Sequence, residues 1–129
     1  IPHDLAAPLL VTPGVQGYKL EMLRRLEKMP IIYSRDYIRS DVIDPVEFRE
    51  LGRNILDYFI HTGRPPIDRS FMTVKAVLPD EYEQSVFQCH ALEPLVRLDG
   101  IACSADDRPV YATCFLIRSK HYDLTLLRY

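Results

Sequence analysis

The clearest pattern along the chain is alternation. From Arg69 to Leu78, Met72, Val74, Ala76 and Leu78 share one face while Arg69, Thr73 and Lys75 share the other, the two-residue period of a strand. Tyr18 to Leu26 and Leu95 to Ala105 also read as strands. Each runs into charged turn residues, then a proline, then a β-rich run: Glu27-Lys28-Met29-Pro30-Ile31-Ile32 in one case, Asp106-Asp107-Arg108-Pro109-Val110-Tyr111 in the other. Proline is tolerated at the start of a strand, where its missing N–H costs least. The echo predicts two β-hairpins built alike. Beyond the second, the basic cluster Arg118-Ser119-Lys120-His121 reads as an interruption. Alternation then resumes from Leu124 to Arg128 and predicts a last edge strand that completes the sheet.

Helical signals lie between the hairpins. Asp44-Pro45-Val46-Glu47 offers an N-cap, a proline at the first helical position and a capping-box glutamate, for a helix to about Leu51. Asn54 can cap a second helix with Ile55, Leu56, Phe59 and Ile60 on its apolar face and Gly63 at its end. Asp80 and Glu83 form another capping box, for a helix through about Gln88, and Asp4 to Leu10 is a short candidate ended by Thr12-Pro13-Gly14. Hairpin-linked strands with helices grouped between them predict an α+β fold, an antiparallel sheet flanked by helices, in one domain spanning residues 1–129.

Composition removes several function classes. The net charge of −2 lacks the clustered basic excess with which a domain grips nucleic acid by itself. No apolar run reaches the roughly 18 residues of a membrane span. Cys89, Cys103 and Cys114 have no metal-ligand spacing and read as reduced thiols of a cytoplasmic protein, and the four histidines are scattered. No glycine-rich phosphate loop, nucleophile elbow or zinc-protease motif is present, so neither a cofactor nor a metal is expected. The start, Ile1-Pro2-His3-Asp4, has no methionine and reads as cut from something longer.

Candidate chemistry lies on the strands. Arg24 has the parity of Leu20 and Met22; if those point inward, it does too, and its guanidinium then needs either an internal partner or a carboxylate or phosphate from a ligand. In the following strand Ile32, Ser34 and Asp36 share a face, with Ser34 a small hydrogen-bond donor and Asp36 the one carboxylate of that face. Tyr33 and Tyr37 on the opposite face suit cross-strand packing. Tyr111, Thr113 and Phe115 line either a polar pocket or an ordinary solvent face, while Val110, Ala112, Cys114 and Leu116 are core. Arg53 and Asn54 stand at a helix N-terminus, whose free N–H groups favour anions. Together with Arg24 they point to an anionic ligand.

The ordered series resembles the UTRA domain, the effector-binding half of HutC-type regulators in the GntR family. The likeness is carried by Pro13-Gly14, by Leu23-Arg24-Arg25 leading to Pro30-Ile31, by Asn54-Ile55-Leu56-Asp57-Tyr58-Phe59 through Gly63, and by Asp107-Arg108-Pro109-Val110-Tyr111-Ala112-Thr113 with Arg118. The resemblance implies a chorismate-lyase-like fold, a small-molecule effector, a homodimer, and contact with DNA only through a winged-helix domain preceding Ile1. It also implies that Arg118 lies near the pocket; on its own sequence context that segment is equally a solvated turn. Many sugar-phosphate-sensing members carry glutamates where this chain has Ser34 and Tyr111, and an Asp-Arg pair where it has Lys120-His121. The pocket so inferred keeps Arg24 and Arg118 and gains an aromatic ring, which fits an acidic effector with an apolar or ring portion.

Three readings follow. The first is a non-enzymatic sensor domain whose ligand site comprises Arg24, Ser34, Arg53, Asn54, Tyr111, Thr113 and Arg118. The second is a lyase-like enzyme on the same scaffold, with Asp36 as its acid or base. The third is a dimerisation module without a ligand.

Overall fold

The computed structural model describes residues 17–42 and 67–128. The helices expected at Asp4 to Leu10, Asp44 to Leu51 and Asn54 to Gly63 lie outside these residues.

The β1 (Tyr18–Leu26) and β2 (Met29–Ile38) strands form the first expected hairpin. Leu26 pairs with Met29, leaving a two-residue loop of Glu27 and Lys28 with φ of 50° and 70°. Positive φ at both central residues gives a hairpin turn whose twist matches that of the flanking strands. A register shift opposite Arg24 and Arg25 leaves Ile31 of β2 as an extra residue, a bulge that bends β2 near its start.

After residue 66 the chain enters β3 (Arg69–Val77), then α1 (Glu81–Phe87), β4 (Leu95–Cys103) and β5 (Pro109–Arg118). The capping box at α1 is complete: the Glu83 N–H donates to Asp80 Oδ1 at 2.7 Å, and the Asp80 N–H donates to Glu83 Oε1 at 3.0 Å. Gln88, left-handed at φ 54°, ends the helix. The second hairpin turns at Asp107, φ 64°, whose N–H donates to Ser104 O at 3.0 Å.

All pairings are antiparallel, in the order β1-β2-β5-β4-β3, so the two hairpins meet through β2 and β5 while β1 and β3 form the edges. Each face of the sheet has its own core. Below, Tyr33, Leu95 and Leu116 pack on Phe87 of α1; above, Ile38, Ala102, Val110 and Tyr111 form a second cluster joined by Tyr18, Val42 and Ile67. The α+β expectation is met, with a chorismate-lyase-like antiparallel sheet.

One strand expectation needs correction. Residues 122–128 carry no regular structure: the chain leaves β5 through a 3-10 turn, Ser119–His121, and Leu124, Leu126 and Leu127 stay exposed. Alternation supplies two faces, but a strand also needs a neighbour to pair with, and this segment pairs with none of the described strands. The alternating run from Arg69 does form a strand, β3, whose Met72 and Val74 side chains are exposed.

Candidate ligand-binding site

A cavity of about 500 Å³ opens on the face of the sheet opposite α1 and crosses all five strands. Its origin lies in the strand register. One row across the sheet runs Asp36, Thr113, Gly100, Met72; the next runs Ile38, Tyr111, Ala102, Ser70. Ser34, Gly100, Ala102 and Ser70 are small, so the rows leave a hollow where larger side chains would fill it. Gly100 is the tightest point. A Cβ there would meet Met72 Sδ at 3.0 Å and Thr113 Cγ2 at 3.2 Å, so the bare backbone lets both side chains close over the floor.

Among the described residues the charged lining is balanced. Arg24 on β1 and Arg69 on β3 bring two positive charges from opposite edges, while Asp36 on β2 and Asp68 just before β3 bring two negative ones. Arg69 pairs with Asp107 of the β4–β5 turn. The Arg24 side chain is exposed and makes no hydrogen bond or ion pair with the other described residues. The Asp68 N–H donates to Cys103 O at 2.9 Å, tying the entrance of β3 to the end of β4.

At the floor, Asp36 is only 3% exposed, and neither its Oδ1 nor the Oγ1 of its cross-strand neighbour Thr113 has a hydrogen-bond partner. Burial pushes the Asp36 carboxyl above the usual carboxylate range, because a charge removed from water is disfavoured; the adjacent Thr113 hydroxyl pulls weakly the other way. Tyr111 is raised to about 12, first by burial and then by the nearby Asp36 charge.

Four of the sequence-predicted site residues, Arg24, Ser34, Tyr111 and Thr113, therefore line one cavity. Arg53 and Asn54 lie outside the described residues. Arg118 is not in the cavity, and its expected place near the pocket is corrected. It shares the parity of Leu116 and Cys114, which turns it to the α1 side, and it is 5% exposed. There its Nε donates to Pro30 O at 2.7 Å, its Nη1 to both Glu93 carboxylate oxygens at 2.9 and 3.0 Å, and its Nη2 to Phe87 O. Its guanidinium also lies 5.9 Å from the Phe87 ring centroid. These contacts join β2, α1, the segment before β4, and β5.

Sequence reasoning left Asp36, Asp68, Arg69 and Gly100 out of the site. Asp36 did carry a signal, as a carboxylate at an inward parity with no visible partner. Gly100, a lone glycine in a strand, is the usual mark of a bulge or a close approach. Arg69 and Asp68 reach the cavity because the β3–β4 register sets the start of β3 against the end of β4, a pairing that one strand's pattern does not contain.

The sequence model of the UTRA domain matches residues 1–123. A comparison with curated proteins gives no match. Among solved structures, a GntR-family transcriptional regulator from Bacillus cereus superposes with a TM-score of 0.86 at 21% identity, covering 98% of this chain and 88% of that one. The effector domain of PhnF from Mycobacterium smegmatis gives 0.84 at 19% identity, covering 100% and 80% respectively. The C-terminal domain of the histidine utilization repressor from Pseudomonas syringae pv. tomato str. DC3000 gives 0.84 at 16% identity, covering 99% and 89%. At these identities the superpositions establish the shared fold.

Proposed function

The chain belongs to the UTRA domain family, and from this we propose that it is the ligand-sensing domain of a GntR/HutC-type transcriptional regulator. A small molecule bearing an anionic group enters the cavity and meets Arg24. Its binding favours one conformational state over another, because a ligand shifts an equilibrium by its difference in affinity for the two states. A DNA-binding domain in the same polypeptide reads that shift, the protein works as a homodimer in the cytoplasm, and the cavity binds without turnover.

The observation that carries this reading is the cavity itself. Its volume falls in the usual range of small-molecule sites, roughly 300–1,000 Å³, and Arg24 at its margin has no described protein partner. A guanidinium presents a planar fork of donors to a carboxylate or phosphate. The regulators that share the fold support the same reading.

A thermal-shift screen of acidic metabolites tests it, since a ligand selective for the native state raises the melting temperature. Acidic compounds are expected to raise it for the native chain, and Arg24→Ala is expected to abolish the shift. A response confined to neutral polyols, or one that survives Arg24→Ala, overturns the reading.

A further inference from the structure

We propose that the ligand is amphoteric: it offers an anionic group to the arginine side of the cavity and a hydrogen-bond-donating, positively charged nitrogen to Asp36. This rests on the sensing role given above and narrows the chemistry of its ligand.

Three observations lead here. Among the described residues the lining holds two arginines and two aspartates, so these residues present no net positive charge to a plain anion. Asp36 is nine-tenths buried and more, and its Oδ1 makes no hydrogen bond with the other described residues. The Thr113 Oγ1 beside it is likewise unmatched, so two neighbouring oxygens at the floor are shielded from water and lack a partner among the described residues.

The physical logic is one of completion. Buried polar atoms in folded proteins nearly always have partners, and an exception calls for a reason. An ionised carboxylate only accepts hydrogen bonds, and a hydroxyl also has lone pairs to offer, so the group that satisfies both is a donor. An ammonium or protonated ring nitrogen supplies several N–H donors and the opposite charge. A purely anionic ligand would instead bring a second negative charge toward Asp36 where water is largely excluded and repulsion is poorly screened. At the other end Arg24 is uncommitted, while Arg69 is shared with Asp107. One molecule with charges of both signs can therefore satisfy groups that the protein leaves unmatched on β1, β2 and β5.

The test is a panel of small carboxylates, phosphates and phosphonates at millimolar concentration, each paired with its amino-bearing counterpart. It includes butyrate with γ-aminobutyrate and ethyl phosphate with phosphoethanolamine, and it uses ethylamine as a cation-only control. Melting temperature and calorimetric affinity are measured on the native chain, Asp36→Asn and Thr113→Val. The amino-bearing member of at least one pair is expected to bind about tenfold more tightly than its partner, the effect of one charge-assisted hydrogen bond. Asp36→Asn is expected to erase that preference and to tighten binding of the amine-free anion, and Thr113→Val to reduce the preference. Because Thr113→Val preserves side-chain shape, it keeps the test open if the Asn variant folds poorly. If amine-free anions bind as well as their partners, or if Asp36→Asn keeps the preference, the amphoteric ligand is excluded while the sensing role stands. If no anion of either kind binds, both fall.

Discussion

On the α1 side of the sheet, Arg118 is 5% exposed and its donors reach Pro30 O, Phe87 O and the Glu93 carboxylate. On the cavity side, Asp36 is 3% exposed and has an oxygen without a partner. Both are charged groups taken out of water, and they differ in who completes them. Arg118 is finished by its own chain, so it acts as an internal tie. Asp36 is left for something else to finish. The comparison shows that burial of a charge does not by itself mark a functional site; Asp36 stands apart because an unmatched oxygen and a place in the cavity lining coincide.

The largest expected effect comes from breaking the completed side. Arg118→Ala removes the donors that reach the Glu93 carboxylate, Pro30 O and Phe87 O, and is expected to destabilise the fold by about 3–5 kcal/mol, the usual result of removing one partner of a buried pair. Urea denaturation measures it. A loss within the range of an ordinary surface substitution, under about 0.5 kcal/mol, would remove Arg118 from the structural role.

The opposite sign is expected at Asp36. Its folded-state carboxyl is raised above the ordinary value of 3.8 by burial, so the native state holds the proton more tightly than the unfolded state. The stability this contributes is fully present below the unfolded value and is lost as pH rises through the folded one. Asp36→Asn should therefore gain on the native chain as pH rises from acid to neutral. The gain is expected to reach about 1–3 kcal/mol, the scale of an unsatisfied buried polar group. Denaturation of both proteins across that pH interval checks the slope, and a parallel pair of curves contradicts it.

A smaller effect separates stability from the site. Glu27→Asn with Lys28→Gly suits the positive φ of the first hairpin turn and is expected to stabilise the fold by about 1 kcal/mol. Because the turn is not part of the cavity lining, ligand affinity should not move with it. The doubly substituted chain thus shows whether a stability change alone alters binding.

Much of the framework was legible because it is local. The bounds of β1 coincide with the alternating segment, both hairpins turn at the charged residues before a proline, and the Asp80–Glu83 capping box forms as its spacing predicts. The misreading at Arg118 has a different origin. Alternation along β5 already places it with Leu116 and Cys114, away from Tyr111 and Thr113, and the family likeness was allowed to outweigh that parity. The Leu124 to Arg128 segment alternates without acquiring a partner. The balance of charge in the cavity was hidden for a third reason. It depends on which strands are neighbours, and Arg69 and Asp68 become part of the site only when the end of β4 lies beside them.

Arg24 and Arg69, the arginines among the described lining residues, stand on the outermost staves of the sheet, with three strands between them. The span between their guanidinium groups is therefore a gauge of curvature: it shortens when the sheet arches and lengthens when it flattens. Distance probes attached to β1 and β3 would read that arch directly.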